Sequence, residues 1–234
     1  MDSCSASEAA ADPSDGGTSQ RPEPSGTSSS IRRLLWCYMS SPAKVSFFFY
    51  AITLGVGMTL VENLLFLFFR QLHATYLVCG LSVGVTVLFE IPLFALSKHL
   101  LGTFGARGCL VIAGLCYSIR VVAYTLVPGG AWVLFFEPMH GVTYAFWQTA
   151  SVEVMASITP CELAATGQTF LGSLRGLLGT TTGNLAGGLV IDHYGEPALY
   201  RSAAVLVALG LCFYLLGTSR GGVGGARQAL VASM

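Results

Sequence analysis

The stretch FFFYAITLGVGMTLVENLLFLFF, residues 47–69, decides the class of this protein. It is as long as the roughly 20 residues that a helix needs to cross the hydrocarbon core of a bilayer. Its one charged side chain, Glu62, lies inside the run rather than at an end. The stretch therefore predicts a membrane-spanning helix with a carboxyl group at membrane depth.

The rest of the chain continues in the same way. Hydrophobic residues make up 53% of the sequence and charged residues only 10%, whereas charged residues are about a quarter of an average soluble domain. Short polar breaks divide the chain into stretches of spanning length. We predict an all-α membrane protein whose six transmembrane helices cover residues 47–69, 76–97, 109–127, 132–156, 166–190 and 198–217.

The segments outside this domain of residues 47–217 differ in composition. Residues 1–30 are mostly Ser, Gly, Ala, Pro and Asp, which cannot bury enough apolar surface to offset the entropy of ordering, so they predict a disordered tail. Residues 31–46 mix Arg32 and Arg33 with Trp36, which is typical of a segment at the membrane interface. Residues 218–234 predict a flexible C-terminal tail.

The distribution of Lys and Arg outside the predicted spans sets the orientation, because cytoplasmic loops carry an excess of these residues. One side of the membrane holds Arg21, Arg32, Arg33, Lys44, Lys98, Arg107, Arg220 and Arg227. The other side holds only Arg70 and Arg201. We therefore predict a multi-pass protein with both termini in the cytoplasm, and an even number of spans agrees with termini on the same side.

Several function classes lack their sequence signature. The motifs HExxH and the Walker GxxxxGK[ST] are absent, and the two matches to GxSxG, at residues 80–84 and 217–221, lie in or at the end of apolar spans rather than between a strand and a helix, so an enzyme is not supported. The seven cysteines are scattered singly, without a CxxC or Cys/His cluster, so we expect no metal site and no cofactor. No basic patch is present for nucleic acid. The partners that we expect are the lipid bilayer and a small-molecule solute.

Charged residues inside the spans are the main functional signal, because an ionisable group at membrane depth costs roughly 2.5–3.5 kcal/mol on insertion scales and normally serves a pathway. At about 1.5 Å rise per residue, Glu62, Arg120, Glu137 and His140 share an outer layer. We predict that Arg120 pairs with Glu62 or with Glu137.

A second layer lies nearer the cytoplasm and contains Glu90, Gln148 and Arg175. By the same reasoning, Arg175 is expected to pair with Glu90. Two charged layers are typical of a pathway with inner and outer gates. Ion pairs that only hold helices together would give the same pattern, and polar residues do play that part in membrane bundles.

The fourth span carries a polar and aromatic stripe, and its members recur at intervals of three and four residues: Glu137, His140, Tyr144, Trp147, Gln148 and Ser151. Such spacing places them on one helix face, which we predict lines a cavity. Glu137 and His140 are close enough in sequence to share a proton. The alternative for His140 is that it only satisfies a backbone or tyrosine partner.

Glycine pairs at four-residue spacing predict close helix packing. The fifth span has Gly172, Gly176, Gly179, Gly183 and Gly187, and the second span has Gly80 and Gly84. At about 100° per residue, Gln168, Arg175 and Thr182 lie along one edge of the glycine face. The fifth span is therefore expected to pack tightly on one side and to present polar groups, Gln168 and Arg175 among them, beside that contact.

Three stretches carry a resemblance to a known family: EPMHGVTYAFWQTAS at 137–151, ATGQTFLGSLRGLLG at 165–179 and NLAGGLVIDHYG at 184–195. With Arg120 on the preceding span, they resemble the major facilitator superfamily. The greatest likeness is to the lactose-permease-like branch of the superfamily, which includes major facilitator superfamily domain-containing protein 6 and its 6-like relative. The loop SKHLLGTFGARG, residues 97–108, is a degraded form of the superfamily's loop motif.

The resemblance implies that the six spans are helices seven to twelve of a transporter, half of a major-facilitator-type bundle. Such a half joins a similar one, holds substrate between the two and alternates access by rocking. In lactose-permease-like symporters, helix nine supplies an arginine and helix ten a histidine and a glutamate for proton coupling. Here Arg120 matches the arginine, whereas Glu137 and His140 stand in the reverse order.

Two functions stay open at this point. The first is a secondary transporter, or half of one, for a small polar solute, with proton coupling through Glu137, His140 and Arg120 as its further feature. The second is a non-transporting membrane protein that associates with another transporter half. In either case the glycine faces predict a second six-helix unit, from the same or a different chain, as partner.

Overall fold

The computed structural model describes residues 25–221, with side-chain surroundings for residues 32–219. Over this part the chain is helical and contains no β-strand. The α-helices are α1 (Ser25–Met39), α2 (Pro42–Gln71), α3 (Tyr76–Ala95), α4 (Ser97–Tyr124), α5 (Gly130–Val133), α6 (Glu137–Ile158), α7 (Ala164–Ser173), α8 (Thr181–Tyr194) and α9 (Glu196–Gly221). A 3-10 turn (Cys161–Leu163) precedes α7, and a π-helical segment (Leu174–Thr180), the π segment, joins α7 to α8.

Four of the described helices are long and apolar enough to cross a membrane: α2, α3, α4 and, over Glu196–Ser219, α9. The other two predicted spans are also helical. Residues 132–156 correspond to α5 and α6, and residues 166–190 lie within α7, the π segment and α8. Polar residues in α6 and the interruption between α7 and α8 distinguish these two from the four more uniform helices.

Two predicted boundaries differ from the helix ends. The polar break expected near Lys98–Arg107 is helical, because α4 begins at Ser97 and absorbs a kink at Gly105, whose φ of 65° is one that glycine adopts without strain. Helix α1 begins at Ser25, inside the predicted tail. Residues 1–24 of that tail and residues 222–234 of the predicted C-terminal tail lie outside the described residues.

Local signals account for the other helix ends. Pro42 stands in the first turn of α2 and Pro138 in the first turn of α6, where the missing N–H is not needed. Thr75 caps α3 by accepting a hydrogen bond from the backbone N of Val78, at 3.4 Å. Gly195, with φ 78°, ends α8. The breaks between helices are thus encoded locally.

Packing centres on α2 and α9, which make the most extensive helix pair, and on α4, which lies against both α6 and α9. The core between them is rich in large aromatic side chains. The largest fully buried ones include Trp147, Tyr50, Tyr117, Tyr124 and Tyr200. Helix α3 packs mainly against α6 and buries only Ser82 along its length. One side of the bundle is therefore well covered by this chain and the other is open.

Helix α1, which covers most of the predicted interfacial segment at residues 31–46, is tied to the end of α6. The Tyr38 hydroxyl and Thr159 Oγ1 are 2.9 Å apart and hydrogen-bonded, and Cys37 Sγ donates to the carbonyl of Ile158. Lys44 Nζ closes the turn into α2 by donating to the Cys37 carbonyl at 3.0 Å. Trp36 remains 80% exposed, which suits an aromatic residue at a membrane interface.

Candidate functional site

A line of polar contacts runs along the open side of the bundle. It begins on α2 with Glu62, whose Oε1 is 3.8 Å from His140 Nε2 on α6. The Glu62 side chain is 46% exposed and that of His140 is 14% exposed. Glu62 therefore lies at the surface of this chain, about two-thirds of the way along α2, whereas His140 is mostly covered and lies in the first turn of α6.

The same line continues toward the predicted cytoplasmic side through an aromatic ring. The rings of His140 and Tyr144 are nearly parallel, with centroids 6.3 Å apart. The Arg175 guanidinium lies over the Tyr144 ring at 5.9 Å, and its Nη1 donates to Gln148 Oε1 at 3.4 Å. We call Glu62, His140, Tyr144, Gln148 and Arg175 the polar strip.

Three elements position the polar strip: α2 supplies its glutamate, α6 its middle three members and the π segment its arginine. A glycine on α2 makes room for the arginine, since a Cβ added at Gly55 would lie 2.7 Å from Arg175 Cγ. Glu62 is seven residues beyond Gly55, or about 10 Å along the helix. The polar strip thus extends over about a third of the roughly 30 Å hydrocarbon core.

A second polar group is enclosed within the bundle. Arg120 Nη1 is 4.0 Å from Glu137 Oε2, and both side chains are almost fully buried. The glutamate also accepts hydrogen bonds from Tyr124 on Oε1 and from Thr86 on Oε2, each 2.9 Å long. We call Thr86, Arg120, Tyr124 and Glu137 the buried cluster. It joins α3, α4 and α6 through one carboxylate.

The arginine of the buried cluster is only partly satisfied. Its guanidinium lies 5.5 Å from the centroid of the Tyr124 ring, but Nε and Nη2 have no hydrogen-bond partner among the described residues. The buried hydroxyls of Tyr117 and Tyr200 also lack partners there. Because a buried polar group without a partner costs about 1–3 kcal/mol, the charge of Arg120 depends heavily on Glu137.

The structure divides the predicted outer layer into two pairs. Of the two partners expected for Arg120, it selects Glu137, while Glu62 pairs instead with His140. Within the described part of the chain, no ion pair joins these two pairs to each other. One pair belongs to the buried cluster and the other begins the polar strip.

The prediction that Arg175 pairs with Glu90 is wrong. Arg175 lies on the π segment and Glu90 on α3, which packs mainly against α6, and no ion pair joins the two side chains within the described residues. Arg175 contacts Gln148 instead, and Glu90 has no hydrogen bond or ion pair within the described part of the chain. Two charged residues at the same depth in the membrane do not necessarily face each other.

The predicted stripe on α6 is also divided. Trp147 is 1% exposed and packs against Phe47 and Tyr50 of α2, with ring centroids 6.4 and 6.0 Å away. Ser151 is buried as well. Helix α2 covers this part of α6, so Trp147 belongs to the core. His140, Tyr144 and Gln148 remain on the open side.

Gln168, predicted beside the glycine face, connects two helices. Its Nε2 donates to the carbonyl of Val152 at 3.1 Å, which ties α7 to α6. Near Glu90, α3 and α6 approach closely, since a Cβ at Gly141 would be 3.0 Å from the Glu90 backbone nitrogen. Gln168 thus joins α7 to α6, and Glu90 lies where α3 meets α6; within the described residues, neither side chain forms a hydrogen bond or an ion pair with the polar strip.

The predicted packing glycines fall into two sets. A Cβ at Gly179 would be 3.1 Å from the carbonyl carbon of Gly55, and Gly183 and Gly187 approach α2 in the same way. The second set comprises Gly80, Gly84, Gly172 and Gly176, and a Cβ added at any of these four would meet no atom within 4 Å. Close packing within this chain uses the first set and leaves the second set open.

Sequence reasoning missed four contributors. Thr86 and Tyr124 hold Glu137, but hydroxyl groups are common in apolar helices and gave no distinctive signal. Asn63 Nδ2 donates to Asn184 Oδ1 at 2.9 Å and joins α2 to α8. The position of Asn63 beside Glu62 was the one available hint. Within the described residues, no group of three or more His, Cys, Asp or Glu side chains is placed to hold a metal ion.

Comparison with known proteins gives consistent matches. The model of the MFS_1 like family matches residues 3–202. The chain is 27% identical over 165 residues to the mouse major facilitator superfamily domain-containing protein 6-like, and 25% identical over 165 residues to its human counterpart. It is 23% identical over 166 residues to the 6-like protein A of Xenopus laevis.

These alignments cover very different shares of the two partners. They include 69%, 70% and 69% of this chain but only 28%, 28% and 26% of the mouse, human and Xenopus proteins, respectively. The chain therefore spans less than a third of the length of the relatives it matches.

Proposed function

Because the chain belongs to the MFS_1 like family, we propose that this integral membrane protein forms part of a secondary transporter for a small polar solute. Membership of the family points to a transporter rather than an enzyme. The observation that supports a solute pathway is the polar strip, a continuous run of contacts on the open side of otherwise apolar helices. It would form one wall of that pathway.

A pathway needs a second wall, and we propose that another six-helix unit supplies it. The open glycines of α3, α7 and the π segment and the exposed carboxylate of Glu62 lie where this chain provides no cover. Transporters of this type hold substrate between two repeats that rock against each other. The second unit is from the same or a different chain.

We assign proton coupling to Glu62 and His140 rather than to Glu137. The carboxylate of Glu137 is enclosed and already held by three groups, whereas Glu62 and His140 form a pair at the open surface. A proton can pass between such a pair when access changes. This part of the proposal concerns how transport is driven, and the solute pathway does not depend on it.

Uptake measurements test both parts. The full chain, in its native membrane complex, is reconstituted into vesicles and supplied with neutral sugars, nucleosides, amino acids or organic carboxylates, with and without a pH gradient. We expect uptake of at least one solute, and a loss of its pH dependence in Glu62→Gln and His140→Gln. Glu153→Gln is the matched control, since Glu153 is an exposed residue on α6 outside the polar strip.

Each part of the proposal has its own contrary result. Absence of uptake for every solute would oppose a transport function. Uptake that occurs but keeps its pH dependence in both variants would leave the transporter in place and remove the proton role of Glu62 and His140.

We also propose the orientation in which both termini are cytoplasmic. The excess of Lys and Arg on that side, by eight to two, supports it. Cysteine labelling from outside intact cells checks the assignment: a cysteine at Arg201 should react with an impermeant reagent, and one at Lys98 should not. The reverse labelling pattern would require the opposite orientation.

A further inference from the structure

Arg175 is a cation at membrane depth that forms no ion pair with a carboxylate of the described chain, although Glu62 lies within electrostatic range of it. Its one hydrogen bond goes to a neutral amide, Gln148, at the long distance of 3.4 Å. The guanidinium group has five N–H donors, so most of them remain available. Arg120, by contrast, faces Glu137. The two arginines of the spans are therefore held in different ways.

The position of Arg175 favours a ligand rather than simple exposure to lipid. Its stem is seated against Gly55 and its guanidinium lies over the Tyr144 ring, so the group is held at a defined place on the open side. Gln148 lies beside it and supplies further polar atoms for a ligand. An ionised group fixed at membrane depth is stabilised most by an opposite charge.

The depth of Arg175 argues against a lipid phosphate as that charge. Gly55, which it touches, lies eight residues from Phe47 at the beginning of the first span, or about 12 Å along the helix. The hydrocarbon core is about 30 Å thick. Arg175 is thus well inside the core, whereas lipid phosphates lie at its edge. A solute that enters between two helical units can reach this depth.

We propose that Arg175 binds the carboxylate of a small organic acid, with Gln148 and Tyr144 beside it, and that the transported solute is an anion. This inference rests on the proposed transport function and adds the chemical class of the substrate. The guanidinium donates two N–H groups to the carboxylate oxygens, as arginine does in bidentate pairs. The aromatic ring below it excludes water from one face of the contact.

Thermal unfolding in nanodiscs of neutral phosphatidylcholine tests the inference directly. The full chain, in its native complex, is titrated with lactate, succinate and benzoate, and with the matched amides lactamide, succinamide and benzamide. We expect at least one carboxylate to raise the unfolding temperature while its amide does not. Arg175→Gln should weaken the apparent affinity by about tenfold or more, and Arg175→Lys should weaken it less.

Arg201→Gln is the matched control, because Arg201 is exposed on α9 and lies outside the polar strip. It should leave the titration unchanged. Uptake of the panel of solutes described above is measured in parallel, so that binding and transport are judged separately.

Several results would overturn the assignment. Equal stabilisation by acid and amide, or an unchanged affinity in Arg175→Gln, would exclude a carboxylate at this residue. If anionic phosphatidylglycerol alone produced the Arg175-dependent stabilisation, the ligand would be a lipid headgroup. If Arg175→Gln reduced the size of the native complex, the charge would belong to a partner helix.

The failure of this inference can be distinguished from that of the proposed function. Uptake of a neutral solute together with no response to any acid would refute only the anion assignment. Absence of both uptake and binding for all compounds would refute the transport function, and the anion assignment with it.

Discussion

At the scale of single residues, the chain treats its intramembrane charges in two ways. Glu137 is buried with an arginine and two hydroxyl donors, which is the arrangement that lets a charge persist inside a bundle. Glu62 and Arg175 are placed on the open side with weaker contacts. The buried cluster therefore stabilises the bundle, and the polar strip is available to interact with something outside this chain.

The buried cluster makes a prediction about stability. Glu137→Gln should lower the free energy of unfolding by about 3–5 kcal/mol, because it leaves the buried charge of Arg120 without its counterion. Arg120→Gln should have an effect of similar size for the opposite reason. The double variant should cost less than the sum of the two, since each single change already breaks the same pair.

Equilibrium unfolding of the full chain in mild detergent measures these differences. Glu153→Gln is the control, because an exposed glutamate on the same helix should change stability by no more than about 0.5 kcal/mol. Strict additivity of the two single effects would mean that Arg120 and Glu137 do not interact energetically.

At the scale of helices, the run from α7 to α8 is the most unusual element. The seven-residue π segment, which contains Arg175, interrupts the α-helical structure of this run. Such π-helical turns are rare and are frequently found at functional sites. Four residues after the arginine, the backbone of Gly179 approaches the backbone of Gly55 on α2. The close helix contact therefore fixes the position of the arginine in the polar strip.

Two glycines of the π segment provide a matched pair of substitutions. Gly179→Ala should destabilise the protein by about 1–3 kcal/mol, because its Cβ would press on the backbone of Gly55. Gly176→Ala should be neutral or stabilising by up to about 1 kcal/mol, since its Cβ would meet nothing.

Thermal unfolding of the two variants side by side checks this contrast. Both add the same methyl group to the same helical segment, so differences in helix propensity cancel. Equal effects at the two positions would show that the contact with α2 is looser than the structure has it.

At the scale of the whole molecule, the bundle is asymmetric. Helices α2, α4, α6 and α9 share an aromatic core, whereas α3 rests on α6 and exposes nearly all of its length. Lipid cannot pair with the polar strip, and it cannot pack closely against the open glycines Gly80, Gly84, Gly172 and Gly176 as another helix backbone would. This asymmetry is what the proposed second six-helix unit would complete.

Association with that unit leads to a prediction for α3. Gly84→Phe should reduce the fraction of protein in the larger native complex, because a bulky side chain would hold two helix backbones apart. It should leave the fold of this chain nearly unchanged, since Gly84 has no neighbour within 4 Å.

The size of the complex in native membranes, measured after extraction in mild detergent, tests this prediction. Gly102→Phe is the matched control, because Gly102 is equally open but lies near the beginning of α4. A complex of unchanged size in Gly84→Phe, or the same loss in both variants, would argue against α3 as the docking surface.

The sequence by itself determined the class of the protein and most of its helices. A bilayer requires long apolar helices, and prolines, glycines and short polar breaks mark where they end, so these features can be read along the chain. The candidate site residues were found in the same way, because a charge such as Glu62 or Arg175 stands out within an apolar run.

Only the tertiary structure decided which of these residues meet. The depth of a residue along its helix follows from the sequence. Which neighbouring residues it faces depends on how all the helices pack against each other. For that reason Arg175 contacts Gln148 rather than Glu90, and Trp147 lies in the core although its spacing matches that of Tyr144. The division into a buried cluster and an open polar strip is a property of packing, and packing sums contacts over the whole bundle.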